Sequence, residues 1–208
     1  MKKILSVFLT VMMIIVLAAC SSTKSEPRLL TEEGIAPYIL SESDEYLLQS
    51  FGMVNDSQII SFNAPKEAIT LLVNVYSLNE DGNWKKISDS GGGISIGTER
   101  EPIEKLKGTF TVLLKDNYAI NFNINAGGII SSTTEEIDIN FEKTMSVKAI
   151  LTDFQEIEIN KEIPVTIMVY DSGRSMRSYI VEDYFDPSKF EGMDLVQAVT
   201  LTFTDQEL

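Results

Sequence analysis

A two-residue alternation of apolar and polar side chains runs from Gln58 almost to the end of the sequence and most constrains the fold. It is clearest in residues 69–75, 109–114 and 118–125, and in the last of these the polar positions are asparagines. A period of two places the apolar side chains on one face of a β-strand, as antiparallel sheets with one solvated side require. The pattern therefore predicts an all-β chain.

Further strands are predicted in the second half of the chain, and turn signals separate them. Glu80-Asp81-Gly82-Asn83 indicates a hairpin loop, and Asp116-Asn117 indicates a two-residue turn, because both residue types tolerate positive φ. Strands spaced in this way are typical of an antiparallel β-sandwich, either elaborated immunoglobulin-like or jelly-roll-like, with a single domain over residues 28–208. The additional strands are predicted at residues 137–141, 146–151, 157–159, 164–170, 179–184 and 197–203.

One short helix is predicted near residues 43–51, at one end of the sandwich. Ser43 is a suitable N-cap, and the acidic residues that follow it favour the positive end of a helix dipole. Tyr46, Leu47 and Phe51 would share one face of the helix, and Gly52 would end it.

The first nineteen residues have the pattern of a signal peptide. Lys2 and Lys3 precede an almost purely apolar run over residues 4–19. A helix of this length reaches only about 24 Å at 1.5 Å per residue, short of a membrane crossing of about 30 Å. Residues 1–19 are therefore predicted to be removed.

The sequence Leu17-Ala18-Ala19-Cys20 at the end of this run resembles the lipobox of bacterial lipoproteins. The resemblance implies a diacylglyceryl group on the Cys20 sulfur, cleavage before Cys20 and retention on the extracytoplasmic face of a bacterial membrane. Residues 20–27 are small and polar and would form a tether to the bilayer. The remaining chain resembles only small β-sandwich lipoproteins, and it carries no motif from which residue roles can be transferred.

Composition excludes several classes of site. The sequence has no histidine, which excludes His-based catalytic triads and His-ligated zinc, and its only cysteine is Cys20, so no disulfide is available within the chain. Its net charge of −14 argues against nucleic acid as a partner, since phosphate binding relies on clustered Lys and Arg. No metal or cofactor is predicted.

Three places are candidate contacts for a ligand. Arg174 and Arg177 stand together in an acidic chain and would clamp an anionic group with Tyr179, although pairing with nearby carboxylates is the simpler explanation. The polar face that carries Asn121 and Asn123 would hydrogen-bond a glycan or a polar peptide, but any solvated sheet face is polar. Trp84 follows a turn and would contact a ligand or cover the edge of the core.

Two acidic clusters raise the question of catalysis. Glycoside hydrolysis needs two facing carboxylates, one with a raised pKa, and Asp183 with Asp186 is the candidate pair. The other cluster comprises Glu135, Glu136 and Asp138. Neither cluster follows the calcium-loop pattern, and the run of glycines at residues 91–97 lacks the lysine of a phosphate-binding loop. No catalytic residue is assigned.

These observations favour a membrane-anchored, non-enzymatic binding or accessory module for an extracytoplasmic protein or glycan. A carboxylate-based glycan hydrolase is one alternative. A structural or inhibitory lipoprotein that pairs with a strand edge of its partner is another.

Overall fold

The computed structural model describes residues 28–87, 91–97, 105–115, 117–137, 145–173 and 177–208. This part of the chain forms two antiparallel β-sheets, one α-helix and two short 3-10 helices, which confirms the all-β sandwich. Residues 1–19, which were predicted to be a signal peptide, and Cys20 lie outside the described residues. In chain order the elements are β1 (Gly34–Pro37), α1 (Glu42–Ser50), β2 (Ser57–Asn63), β3 (Thr70–Leu78), β4 (Trp84–Lys86), β5 (Gly92–Ser95), β6 (Lys107–Leu114), β7 (Ile120–Asn125), β8 (Ile129–Thr133), β9 (Met145–Ile150), β10 (Glu162–Asp171), the 3-10 helices Val181–Phe185 and Pro187–Phe190, and β11 (Leu195–Thr204).

The two sheets enclose one hydrophobic core. Sheet A has the strand order β1-β2-β6-β7-β8, and sheet B has the order β4-β3-β11-β10-β9, with β5 also paired to β3. Phe62 of sheet A packs on Phe203 of sheet B with ring centroids 5.6 Å apart. Alternate residues of the central strands are fully buried between the sheets, which is the packing that the sequence alternation predicts.

Sheet B differs from the prediction because its outer face is buried as well. Nearly every residue of β10 and β11 is buried, although one wet face was expected. The covering layer comes from the segment between these two strands, which contains both 3-10 helices. Residues 179–184, predicted as a strand, lie in this layer and form the helix Val181–Phe185 instead. Their alternating pattern reflects burial against sheet B rather than strand pairing.

The predicted strand at residues 157–159 is also wrong. Only Gln155 makes an isolated bridge, to Ile35, and the chain then turns at Asn160, which has a φ of 62° and donates its backbone N–H to the Phe203 carbonyl. Two short strands, β1 and β8, were missed. Of the predicted strand 137–141, Ile137 lies outside any strand and the other residues lie outside the described part.

The connection from β6 to β7 is longer than the predicted two-residue turn. β6 ends at Leu114 and β7 begins at Ile120, and the positive φ of 62° falls at Tyr118 rather than at Asn117. Asp116 lies outside the described residues. The Lys115 N–H donates to the Ala119 carbonyl, which closes this wider turn.

Helix α1 begins and ends close to its predicted bounds, but Ser41, not Ser43, is the N-cap. The Ser41 hydroxyl accepts from the Asp44 N–H, and the Asp44 carboxylate accepts from the Ser41 N–H, which completes a capping box. Leu47 and Leu48 line a groove with Ile59, so α1 lies on the outer face of sheet A. Within the described residues, no helix has the length and apolar character needed to cross a membrane.

Candidate functional site

Two of the predicted contact residues, Trp84 and Tyr179, pack against a common third residue on the outer side of sheet B. Both rings pack against Phe190, at centroid distances of 5.9 Å from Trp84 and 5.1 Å from Tyr179. Phe190 ends the second 3-10 helix and is buried. The segment that covers sheet B therefore brings together side chains that are distant in the sequence.

The indole of Trp84 is held by stacking and by a hydrogen bond. It stacks on the ring of Tyr184 with centroids 5.0 Å apart and an angle of 20° between the planes. Its Nε1 donates to the Tyr184 carbonyl oxygen at 2.8 Å. The half-buried indole thus joins β4 to the first 3-10 helix, in a position that covers the edge of the core.

Glu162 forms the polar centre of this layer. Its Oε2 accepts from the Tyr184 hydroxyl at 2.8 Å. Its Oε1 accepts from the Tyr76 hydroxyl, and at 3.2 Å from both Asn74 Nδ2 and Thr200 Oγ1. These four donors come from β3, β11 and the first 3-10 helix, so one carboxylate ties the covering segment to two strands of sheet B.

The phenols beside Glu162 have perturbed acidities. Burial, and then the hydrogen bond to Glu162, raises the pKa of Tyr76 to about 12. The same two causes raise the pKa of Tyr184 further. Both phenols therefore stay protonated, as donors to Glu162, at alkaline pH values where a free tyrosine ionises, which fits a structural role.

A cleft of about 380 Å³ opens beside this cluster, between the β3–β4 turn and the second 3-10 helix. One wall of the cleft is the β3–β4 turn, where Gly82 has a left-handed backbone with a φ of 74°. The other wall is the second 3-10 helix and the residues after it, where Gly192 has a φ of 85°. The apolar side chains that line the cleft are Leu78, Phe190, Met193 and Val196, and the carboxylates that line it are Glu80, Asp81, Glu191 and Asp194.

The chemistry of this cleft favours a cationic ligand. Phe190 and Val196 are buried, whereas the four carboxylates are on exposed residues, so the apolar groups form the floor and the acids form the rim. No basic side chain is among the described residues that line the cleft. A ligand with a positively charged group would pair with the carboxylates of the rim, and an apolar substituent on it would pack on the floor.

The predicted arginine clamp is only partly described. Arg177 is exposed, and Arg174 lies outside the described residues. Tyr179, expected beside them as a contact, has its ring buried against Phe190, and its hydroxyl finds no hydrogen-bond partner among the described residues. Burial raises the pKa of this phenol.

The carboxylate pair that was considered for hydrolysis is engaged within the protein. Burial alone would raise the pKa of Asp183, but hydrogen bonds from Lys189 and from the Ile180 N–H outweigh it and lower that pKa. Asp186 accepts from the Ser188 hydroxyl at 2.6 Å. A general acid needs a raised pKa, so Asp183 does not suit that role. Among the described residues, no three Asp, Glu, His or Cys side chains are grouped to hold a metal ion.

The asparagine face lies on the other side of the sandwich. Asn121 and Asn123 alternate along β7 with buried Ile120 and Phe122, so they occupy the outer face of sheet A. Asn123 Oδ1 accepts from the Ser131 hydroxyl at 2.6 Å, and Asn121 Oδ1 is buried without a partner among the described residues. This face therefore forms no common site with Trp84 or Tyr179.

The cleft was not predicted from the sequence. The acidic turn at Glu80 and Asp81 was identified only as a hairpin loop, and its opposite wall at Glu191 is separated from it by about 110 positions. No local pattern links the two walls. The one available signal was the density of carboxylates on both segments.

No family model matches this chain, and no curated protein or solved structure is significantly similar to it.

Proposed function

We propose that the chain is a lipid-anchored protein on the extracytoplasmic face of a bacterial membrane, and that its sandwich is a non-enzymatic binding module. The anchor is supported by the lipobox-like Leu17-Ala18-Ala19-Cys20 at the end of a short apolar leader. Two acyl chains hold a protein stably on a bilayer, whereas one gives only marginal binding.

The ligand contact in this proposal is the acidic cleft beside Trp84, and the geometry of that cleft is the observation that carries the binding role. Its apolar floor and four rim carboxylates suit a peptide segment in which a lysine or arginine neighbours an aliphatic residue. The negative charge of the whole chain would also speed the approach of a basic partner.

The anchor is tested first by replacing its attachment atom. Cys20→Ala should abolish both palmitate incorporation and retention in the membrane fraction, because no other thiol exists in the sequence. Ser21→Ala is the matched control and should be labelled and retained like the native chain. Continued labelling and membrane retention of the Cys20→Ala chain would remove the basis for a lipoprotein.

The cleft is tested by binding of a short peptide of alternating lysine and leucine to the anchored chain in phosphatidylcholine vesicles. Asp81→Asn combined with Glu191→Gln removes one charge from each wall, and we expect the dissociation constant to rise about tenfold at low salt. Fluorescence anisotropy of the labelled peptide measures this change.

A charge-matched control separates the cleft from the overall field of the protein. Glu135→Gln combined with Glu136→Gln removes the same charge from exposed residues that do not line the cleft. This variant should weaken binding less than about twofold. Equal weakening by both double variants would mean that the peptide responds only to net charge, and the cleft would lose its assigned role.

A further inference from the structure

Helix α1 and its flanks expose an unusual concentration of large apolar side chains. None of the nine residues of α1 is buried. Exposed fractions lie between 49% and 75% for five side chains within sixteen consecutive positions, which together we call the α1 surface: Ile39, Tyr46, Leu47, Phe51 and Val54. Scattered apolar residues are normal on a protein surface, but a concentration of this kind marks a contact surface.

The α1 surface borders apolar grooves rather than standing alone. Leu47 and Phe51 are four residues apart and share a face of the helix. Val54 lines a groove with Ile150, another exposed apolar side chain, on β9. The apolar area therefore extends from α1 to β9, which is the edge strand of sheet B farthest from β4.

The chain that leads to the proposed anchor leaves the sandwich beside α1. The Arg28 N–H donates to the Tyr38 hydroxyl at 3.3 Å, and the Leu30 N–H donates to Ser61 Oγ at 2.7 Å. Tyr38 also lines the grooves along α1. The start of the described chain is thus fixed against the outer face of sheet A, next to the helix.

The covalent distance from this point to the lipid is short. Only seven residues separate Cys20 from Arg28, and a chain of that length spans at most about 25 Å. A helix of nine residues is about 14 Å long. An acylated Cys20 would therefore keep the whole of α1 close to the lipid surface, and tethering raises its effective concentration there.

We propose that the α1 surface inserts into the boundary between headgroups and acyl chains of the bilayer that holds Cys20. This inference rests on the proposed lipid anchor. The Tyr46 side chain suits that boundary because it joins an apolar ring to a polar hydroxyl. Leu and Phe are typical of the apolar face of helices that lie in the membrane interface. The first turn of α1 carries Glu42, Asp44 and Glu45, and its last turn carries no basic residue, so contact is through apolar insertion and not through attraction to anionic lipid.

The test uses tryptophan quenching in the full, anchored chain. The native sequence has one tryptophan, Trp84, on sheet B and away from α1. Trp84→Phe combined with Phe51→Trp moves this reporter to the α1 surface. In vesicles of phosphatidylcholine with brominated acyl chains, we expect quenching of the introduced indole to exceed that of native Trp84 by about twofold or more. Admixture of anionic phosphatidylglycerol should reduce the quenching.

A second measurement serves if the double variant does not fold. Hydrogen exchange in the native anchored chain is compared with that of Leu47→Glu combined with Phe51→Glu, two exposed positions whose change leaves the core intact. Exchange over residues 42–54 should become faster in the variant on vesicles, while exchange in β10 and β11 stays the same. Equal exchange over residues 42–54 would overturn the proposal.

The mass of the purified chain distinguishes the two possible failures. A chain without a lipid on Cys20 overturns the proposed anchor, and this inference with it. A lipidated chain in which the introduced indole is quenched no more than Trp84 overturns only the insertion of α1. Protection of α1 that requires an added membrane protein would assign this surface to a protein partner and would also overturn insertion.

Discussion

At the scale of single residues, Glu162 is the clearest case of a charge stabilised by its surroundings. Its carboxylate accepts from four side chains: Asn74, Tyr76 and Thr200 donate to Oε1, and Tyr184 donates to Oε2. A charged group is tolerated in a half-buried place only when it is hydrogen-bonded. Its role is therefore to attach the covering segment to sheet B.

Buried tyrosines should make the free energy of unfolding depend on pH in the alkaline range. Burial is the main cause that raises the pKa of both Tyr76 and Tyr170 from 10.0 to about 12. Between these values the unfolded chain loses phenolic protons that the folded chain keeps, so the free energy of unfolding should fall as pH rises from 10 towards 12. Urea unfolding followed by Trp84 fluorescence at several pH values measures this loss.

Tyr184→Phe provides the comparison for this prediction. It removes a phenol with a raised pKa, so the decline in stability with pH should become shallower. Absorbance at 295 nm follows phenol ionisation independently. Complete ionisation of all tyrosines by about pH 11 in a chain with native circular dichroism would contradict the assigned burial.

At the scale of elements, α1 shows that a good local signal does not ensure a buried helix. Its capping box satisfies the Asp44 N–H of the first turn and the N–H of the cap residue Ser41, which favours a helix here although none of its residues is buried. The predicted apolar face of Tyr46, Leu47 and Phe51 is largely exposed, although Leu47 also lines the groove that Ile59 borders. This exposure is the origin of the α1 surface.

The pairing of β6 with β7 depends on one glycine. A Cβ at Gly108 would lie 1.9 Å from the Asn125 carbonyl oxygen. Because these two atoms would overlap, the backbone of β7 would have to shift. Gly108→Ala should therefore reduce the free energy of unfolding by about 1–3 kcal/mol, measured by urea unfolding.

Gly128→Ala is the matched control for this prediction. A Cβ at Gly128 meets nothing within 4 Å, and the residue has no positive φ. The control should therefore leave the free energy of unfolding within about 0.5 kcal/mol of the native value. Equal losses for both variants would show that the contact with Asn125 does not decide the effect.

At the scale of the whole molecule, the two proposed contacts lie on opposite sides of the sandwich. Helix α1 and the start of the described chain lie on the outer face of sheet A, whereas the acidic cleft lies on the outer side of sheet B. Insertion of α1 in the bilayer would therefore turn the cleft away from the lipid. The net charge of −14 favours the same orientation, because anionic headgroups repel an acidic protein and do not attract its acidic cleft to the bilayer.

The sequence by itself determined the β class and the position of the helix. Alternation with a period of two is a local consequence of burial on one face, and capping residues act within one turn, so both are readable along the chain. Local signals failed at residues 157–159 and 179–184, where the same alternation accompanies burial without strand pairing.

Only the tertiary structure decided which surfaces could bind. The covering layer on sheet B joins Trp84, Tyr179 and Phe190, and the walls of the cleft come from segments about 110 positions apart. Such contacts depend on strand order and on the path of a long connection, which no local pattern encodes. The apolar residues of α1 were visible in the sequence, but their exposure followed from packing of the whole chain.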